Sequence, residues 1–125
     1  MDYKTKVLDY AKISPVILQN GNLDDFKNAI ILNASIPSKN LGIVNTKNGL
    51  KAPKWFVDVK KEENPIIVIN NLDEIDKYNQ EKFYELLKYK TISNIELPLN
   101  TKIIVLAKNL ENISQNILSL CMVIK

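Results

Sequence analysis

The 125-residue chain contains no histidine. That excludes histidine acid–base catalysis, histidine-containing triads and histidine metal sites. It also contains no arginine, since all 17 basic residues are lysines. Arginine is the usual residue for bidentate phosphate contacts and for stabilising phosphoryl-transfer transition states, so an enzyme of that class without one would be unusual. The single cysteine, Cys121, cannot form an internal disulfide, and a reducing cytoplasmic setting is the default expectation. The longest apolar run, around Pro65 to Ile69, is far too short to span a bilayer. A charged-then-apolar leader is not expected, because Asp2, Lys4 and Lys6 are followed by mixed sequence. There is no strong charge excess either. The net charge is +3, and the lysines interleave with acids instead of forming a stripe, so nucleic-acid binding draws little support.

What remains is ordinary for a soluble globular protein: 46% apolar and 25% charged residues, enough for one domain with one core over residues 1–125. Residues 2–12 read as a short amphipathic helix, and 15–19 as an apolar strand ended by Asn20 and Gly21. The stretch 23–34 fits a helix, with Phe26, Ala29, Ile30 and Leu32 inward. Residues 36–59, broken by Pro37, Gly42, Gly49 and Pro53, suggest one strand and much loop, with Trp55 as a packing anchor. Ile66 to Ile69 is apolar on both faces, as a central parallel strand is. A helix over 76–90, a hairpin arm over 92–97, a buried strand over 101–107, a short helix over 113–118 and a last strand over 121–124 complete the chain. Alternating strands and helices predict an α/β fold, a three-layer parallel sheet with helices on both faces.

Three segments carry candidate chemistry. Gly21-Asn-Leu-Asp-Asp-Phe-Lys27-Asn28 follows a strand with the spacing of a phosphate-binding Walker A loop. Phe26 stands where a second glycine lets the backbone curl around phosphate, and Asn28 where a hydroxyl holds magnesium. Asp24 and Asp25 add negative charge where phosphates would lie, a repulsion of roughly 1 kcal/mol or more each. The plain alternative is a helix start with acids at its positive end. The second segment, Ile66-Ile-Val-Ile-Asn-Asn-Leu-Asp73-Glu74, is an apolar strand ending in Asp-Glu. That is the Walker B arrangement, in which Asp73 would hold magnesium and Glu74 would polarise a water. An acidic helix start explains it equally well. The third, Thr101 to Asn109, is a buried strand ending in a polar asparagine.

Taken in order, Pro53-Lys-Trp55, the Asp-Glu strand, the Leu86-Leu87 helix, Leu97-Pro98 and the strand ending at Asn109 resemble the MoxR-like and clamp-loader-like branch of AAA+ ATPases, over Pro53 to Ile124. The resemblance implies a P-loop NTPase core with Asp73 as the magnesium ligand and Glu74 as the catalytic glutamate. Asn109 is implied as sensor 1, on a strand neighbouring that of Asp73. Gly21, Lys27 and Asn28 correspond to a degenerate phosphate loop, and Leu120 stands where a transition-state arginine belongs. The helical lid and its second sensor are expected to be absent. ATP and magnesium are the implied cofactors, and a protein partner or AAA+-type oligomer the implied assembly.

The functional expectation is a degenerate AAA+-like interaction or regulatory module with little or no hydrolysis. One alternative is an atypical ATP-binding protein completed by a partner chain. Another is a clamp-loader-like DNA-replication accessory protein.

Overall fold

A computed structural model describes residues 3–125. The chain opens with helix α1 (Tyr3–Ala11), followed by strand β1 (Val16–Gln19) and a 3-10 turn at Leu23–Phe26. Next come β2 (Ile30–Asn33), the short helix α2 (Ser38–Leu41), strands β3 (Val44–Thr46) and β4 (Gly49–Lys51), and helix α3 (Lys54–Lys61). Strand β5 (Ile66–Asn70) leads through a 3-10 turn at Leu72–Glu74 to α4 (Lys77–Gln80) and α5 (Tyr84–Tyr89). Strands β6 (Thr91–Ile92), β7 (Ile95–Glu96) and β8 (Lys102–Ala107), helix α6 (Gln115–Leu118) and β9 (Met122–Ile124) finish it.

Five strands form one sheet in the order β2-β5-β8-β1-β9, with every neighbouring pair parallel. Alternate residues of a strand face opposite sides, and the buried side chains divide accordingly. Ile17, Ile67, Ile69, Ile103 and Val105 join one cluster with Phe56 and Val59 of α3, Leu86 and Leu87 of α5, and Ile117 of α6. Val16, Leu18, Val68, Ile104 and Leu106 join a second with Val7 and Ala11 of α1 and Phe26 of the first 3-10 turn. Helical segments therefore cover both faces. The unbroken apolar runs of β5 and β8 follow from burial on both sides.

Two expectations about local structure need correction. Residues 23–34 are not a helix: after one 3-10 turn capped by Asn22, the chain becomes β2 and pairs with β5. Ile30-Ile-Leu32 is a β-branched run, and pairing with an apolar neighbour outweighs the helical spacing of Phe26, Ala29 and Ile30. Residues 36–59 hold more order than one strand and loop, namely two helices around the β3–β4 hairpin. Trp55 sits on α3, buried, and its indole N–H donates to the Leu41 carbonyl at 3.0 Å. The remaining strands and helices fall where the residue patterns place them, although the 76–90 helix is interrupted by a 3-10 turn at Glu81–Phe83. Cys121 is partly buried and packs against the larger core cluster, and burial pushes its thiol up to about 12.

The β6–β7 hairpin turns through Ser93 and Asn94, both at positive φ. Glu85 holds it: its carboxylate accepts from the Thr91 hydroxyl at 2.6 Å and from the Asn94 and Ser93 amides at 2.7 and 3.2 Å. The Thr91 hydroxyl, then the two amides, keep this carboxyl below its ordinary 4.5, with partial burial opposing. A depressed folded pKa contributes stability that is present above 4.5 and lost as pH falls through the folded value. Urea titrations should therefore show Glu85→Gln less stable than the parent near neutral pH, with the gap narrowing as the pH falls below 4.5. A gap independent of pH would mean the carboxylate charge contributes nothing.

Candidate functional site

In an open parallel sheet, ligands bind beyond the carboxyl ends of the strands where adjacent connections diverge. Here the connection from β1 runs to β2 at one edge, and that from β8 passes β1 to reach β9 at the other. The divergence lies between β1 and β8. Gly21 follows β1, Lys108 and Asn109 follow β8, and Asp73 and Glu74 lie in the turn after β5, which pairs with β8. Gly21, Asn70, Asn71, Asp73, Glu74 and Lys108 line a cavity of about 40 Å³ there. Thus Asp73, Glu74 and Asn109 leave neighbouring strands.

Two asparagines shape the rim in left-handed backbone, Asn20 at φ 60° and Asn71 at φ 64°. Asparagine tolerates that region better than most residues, which suits the sharp exits from β1 and β5. Asn20 N–H donates to the Ala107 carbonyl at 2.9 Å, and the Gln19 side-chain amide to the Lys108 carbonyl at 3.1 Å. These bonds strap the end of β8 to β1.

Asp73 straps it from the other side. Its Oδ2 accepts the backbone N–H groups of Lys108 at 3.0 Å and Asn109 at 2.9 Å. One carboxylate oxygen is thereby occupied by the segment after β8, and the Asn109 amide is drawn to Asp73. Glu74 is exposed at the rim. Among the described residues no group of three histidine, cysteine, aspartate or glutamate side chains is arranged to hold a metal ion.

Gly21 lies against an apolar wall. A Cβ at this position would meet Leu18 Cδ2 at 2.6 Å and Leu106 Cδ2 at 2.9 Å, and both leucines are buried. The glycine is required by this packing. Lys27 and Asn28 are exposed after the 3-10 turn, with no helix following and no place in the cavity lining. The structure thus brings Gly21, Asp73, Glu74 and Asn109 together and leaves Lys27 and Asn28 apart. Leu120 packs partly buried against the larger core cluster.

The residue that sequence reasoning missed is Gln80, fully buried on α4. Its amide nitrogen donates to the carbonyls of Leu72 at 3.2 Å, Ile75 at 3.0 Å and Asn112 at 2.7 Å. Its oxygen accepts the Ser114 amide at 2.7 Å. One side chain therefore joins the loop carrying Asp73 to the loop after Asn109. The signal was present: Gln80 stands in inward phase with Phe83 and Leu87, a polar group on an apolar stripe.

The size of the cavity limits its chemistry. About 40 Å³ suffices for a water. Sites for small organic ligands run to roughly 300–1,000 Å³. No helix among the described residues is long and apolar enough to cross a membrane. The chain matches no protein-family model and no curated protein sequence.

Proposed function

We propose that this chain is an AAA+-like α/β domain in which the nucleotide site has become a structural joint, and that it works through protein contacts with little or no ATP hydrolysis. The observation that carries the reading is Asp73. The carboxylate that the resemblance assigns to magnesium accepts two main-chain amides from the segment after β8 instead. The relation to AAA+ cores draws support from placement, with the Asp-Glu pair and Asn109 at the ends of paired strands and Gly21 after the next strand along. Loss of chemistry draws support from the small cavity, the leucine wall under Gly21, the strand in place of a helix after Lys27, and the absence of arginine. Without an arginine finger, rate falls by about 10³–10⁵ on general grounds. The contact role follows from the loss of chemistry and not from a surface patch, since the exposed Leu50, Tyr78 and Leu99 lie apart in sequence on β4, on α4 and before β8.

Calorimetric titration with ATP and magnesium tests this. The expected result is no saturable heat at high micromolar ATP, both for the parent and for Asp73→Asn. Magnesium-dependent binding that Asp73→Asn or Lys27→Ala abolishes would overturn the proposal in favour of an atypical ATP-binding protein.

A further inference from the structure

A second, larger cavity of about 290 Å³ lies away from the Asp73 turn, between α2, the β3–β4 hairpin and the start of α3. Its charged lining is of one sign: Lys39 from α2, Lys51 from β4 and Lys54 from α3. All three are exposed, and none has a carboxylate partner among the described residues, where Lys12–Asp9 is the ion pair formed. The start of α3 reinforces the positive field. Phe56 and Val57 make the first helical bonds, both to the Pro53 carbonyl, so the amides of Lys54 and Trp55 precede them. Pro53 caps the helix without a side-chain hydrogen bond, and the first turn contains no acid. A lysine in the first turn opposes the helix dipole, an arrangement that ordinarily costs about 0.3–1 kcal/mol.

Three lysines and a helix N-terminus line one concavity, so an anion placed there meets positive charge from each of them. Departures of this kind from local electrostatic preference concentrate at binding sites. A dianion matches this set better than a monoanion, which would leave most of the positive charge uncompensated. A phosphate monoester carries about −1.5 to −2 charge at neutral pH and three acceptor oxygens. Val44, Ala52 and Pro53 add apolar wall, and the volume approaches the lower end of the range for small organic ligands. We propose that this cavity binds a small phosphate monoester, with the phosphate held by Lys39, Lys51, Lys54 and the α3 N-terminus and a compact apolar body against the hairpin. The inference does not depend on the Asp73 site.

Phenyl phosphate is the probe, titrated into the full chain at low ionic strength while amide NMR shifts and Trp55 fluorescence are followed. Trp55 is the only tryptophan and adjoins Lys54. Saturable shifts centred on Lys51, Lys54 and Trp55 are expected, with benzoate much weaker. The Lys51→Gln/Lys54→Gln pair should weaken binding about tenfold or more. The Lys60→Gln/Lys61→Gln pair, an equal charge change at the far end of α3, should leave it within about twofold. Absence of saturation by about 10 mM would overturn the proposal. So would equal weakening by both pairs, which would show a diffuse charge effect, or benzoate binding as tightly as phenyl phosphate.

Discussion

Gln80→Ala is expected to lower unfolding stability by about 3–4 kcal/mol, a large share of the roughly 5–15 kcal/mol that holds a typical domain. The side chain is fully buried and makes four hydrogen bonds, all to main-chain groups of two loops. Its removal strands three carbonyls and one amide in a place that water reaches poorly. Each buried group left without a partner costs about 1–3 kcal/mol, reduced where the loops relax towards solvent. Gln80→Met separates this from cavity formation, because it keeps the volume and deletes only the polar atoms. Urea unfolding followed by Trp55 fluorescence should place Gln80→Met within about 1 kcal/mol of Gln80→Ala. A loss below about 1 kcal/mol for Gln80→Met would show that the amide fills space and that the loops are held by other means.

Gly21→Ala carries the second large effect, and it distinguishes two meanings of the same glycine. The new Cβ would stand 2.6 Å from Leu18 Cδ2 and 2.8 Å from Leu18 Cγ, with Leu106 Cδ2 at 2.9 Å. Both leucines are held in the core cluster that contains Val7 and Phe26, so neither swings aside without disturbing its neighbours. Overpacking of this kind costs about 1–3 kcal/mol. Because the penalty is a contact, it should couple to its partner. Gly21→Ala combined with Leu18→Val should be less destabilised than the sum of the single changes, by at least about 0.5 kcal/mol. Strict additivity would remove the packing explanation.

Glu74 and Asn109 show how legible the site was in sequence. An apolar run followed by a polar residue marks the end of a buried strand, and that pattern located both Ile66 to Asn70 and Lys102 to Ala107. The expectation that these strands are neighbours agrees with their parallel pairing. Lys27 and Asn28 show where spacing misled. Eight residues with the right intervals resembled a phosphate loop, yet a loop of that kind needs a helix behind it. Ile30 to Leu32 entered the sheet instead. Helical and strand periodicities are hard to separate in so short an apolar segment, and the available place beside β5 decided between them.

The alternation and length of apolar runs were readable residue by residue, because burial on both faces of a parallel strand demands β-branched and aliphatic side chains irrespective of what lies beside them. The absence of arginine and histidine is equally plain in the sequence, and it bounds the chemistry open to any fold the chain adopts. The role of Asp73 was of another kind. A carboxylate after a strand can meet a cation or a main-chain amide, and its neighbours in sequence are the same in both cases. Its partners, Lys108 and Asn109, lie 35 and 36 residues further along the chain. The grouping of Lys39, Lys51 and Lys54 around one cavity is likewise a product of the hairpin that folds between them. Such contacts depend on how strands are ordered and loops closed, and these are settled by the packing of the whole chain.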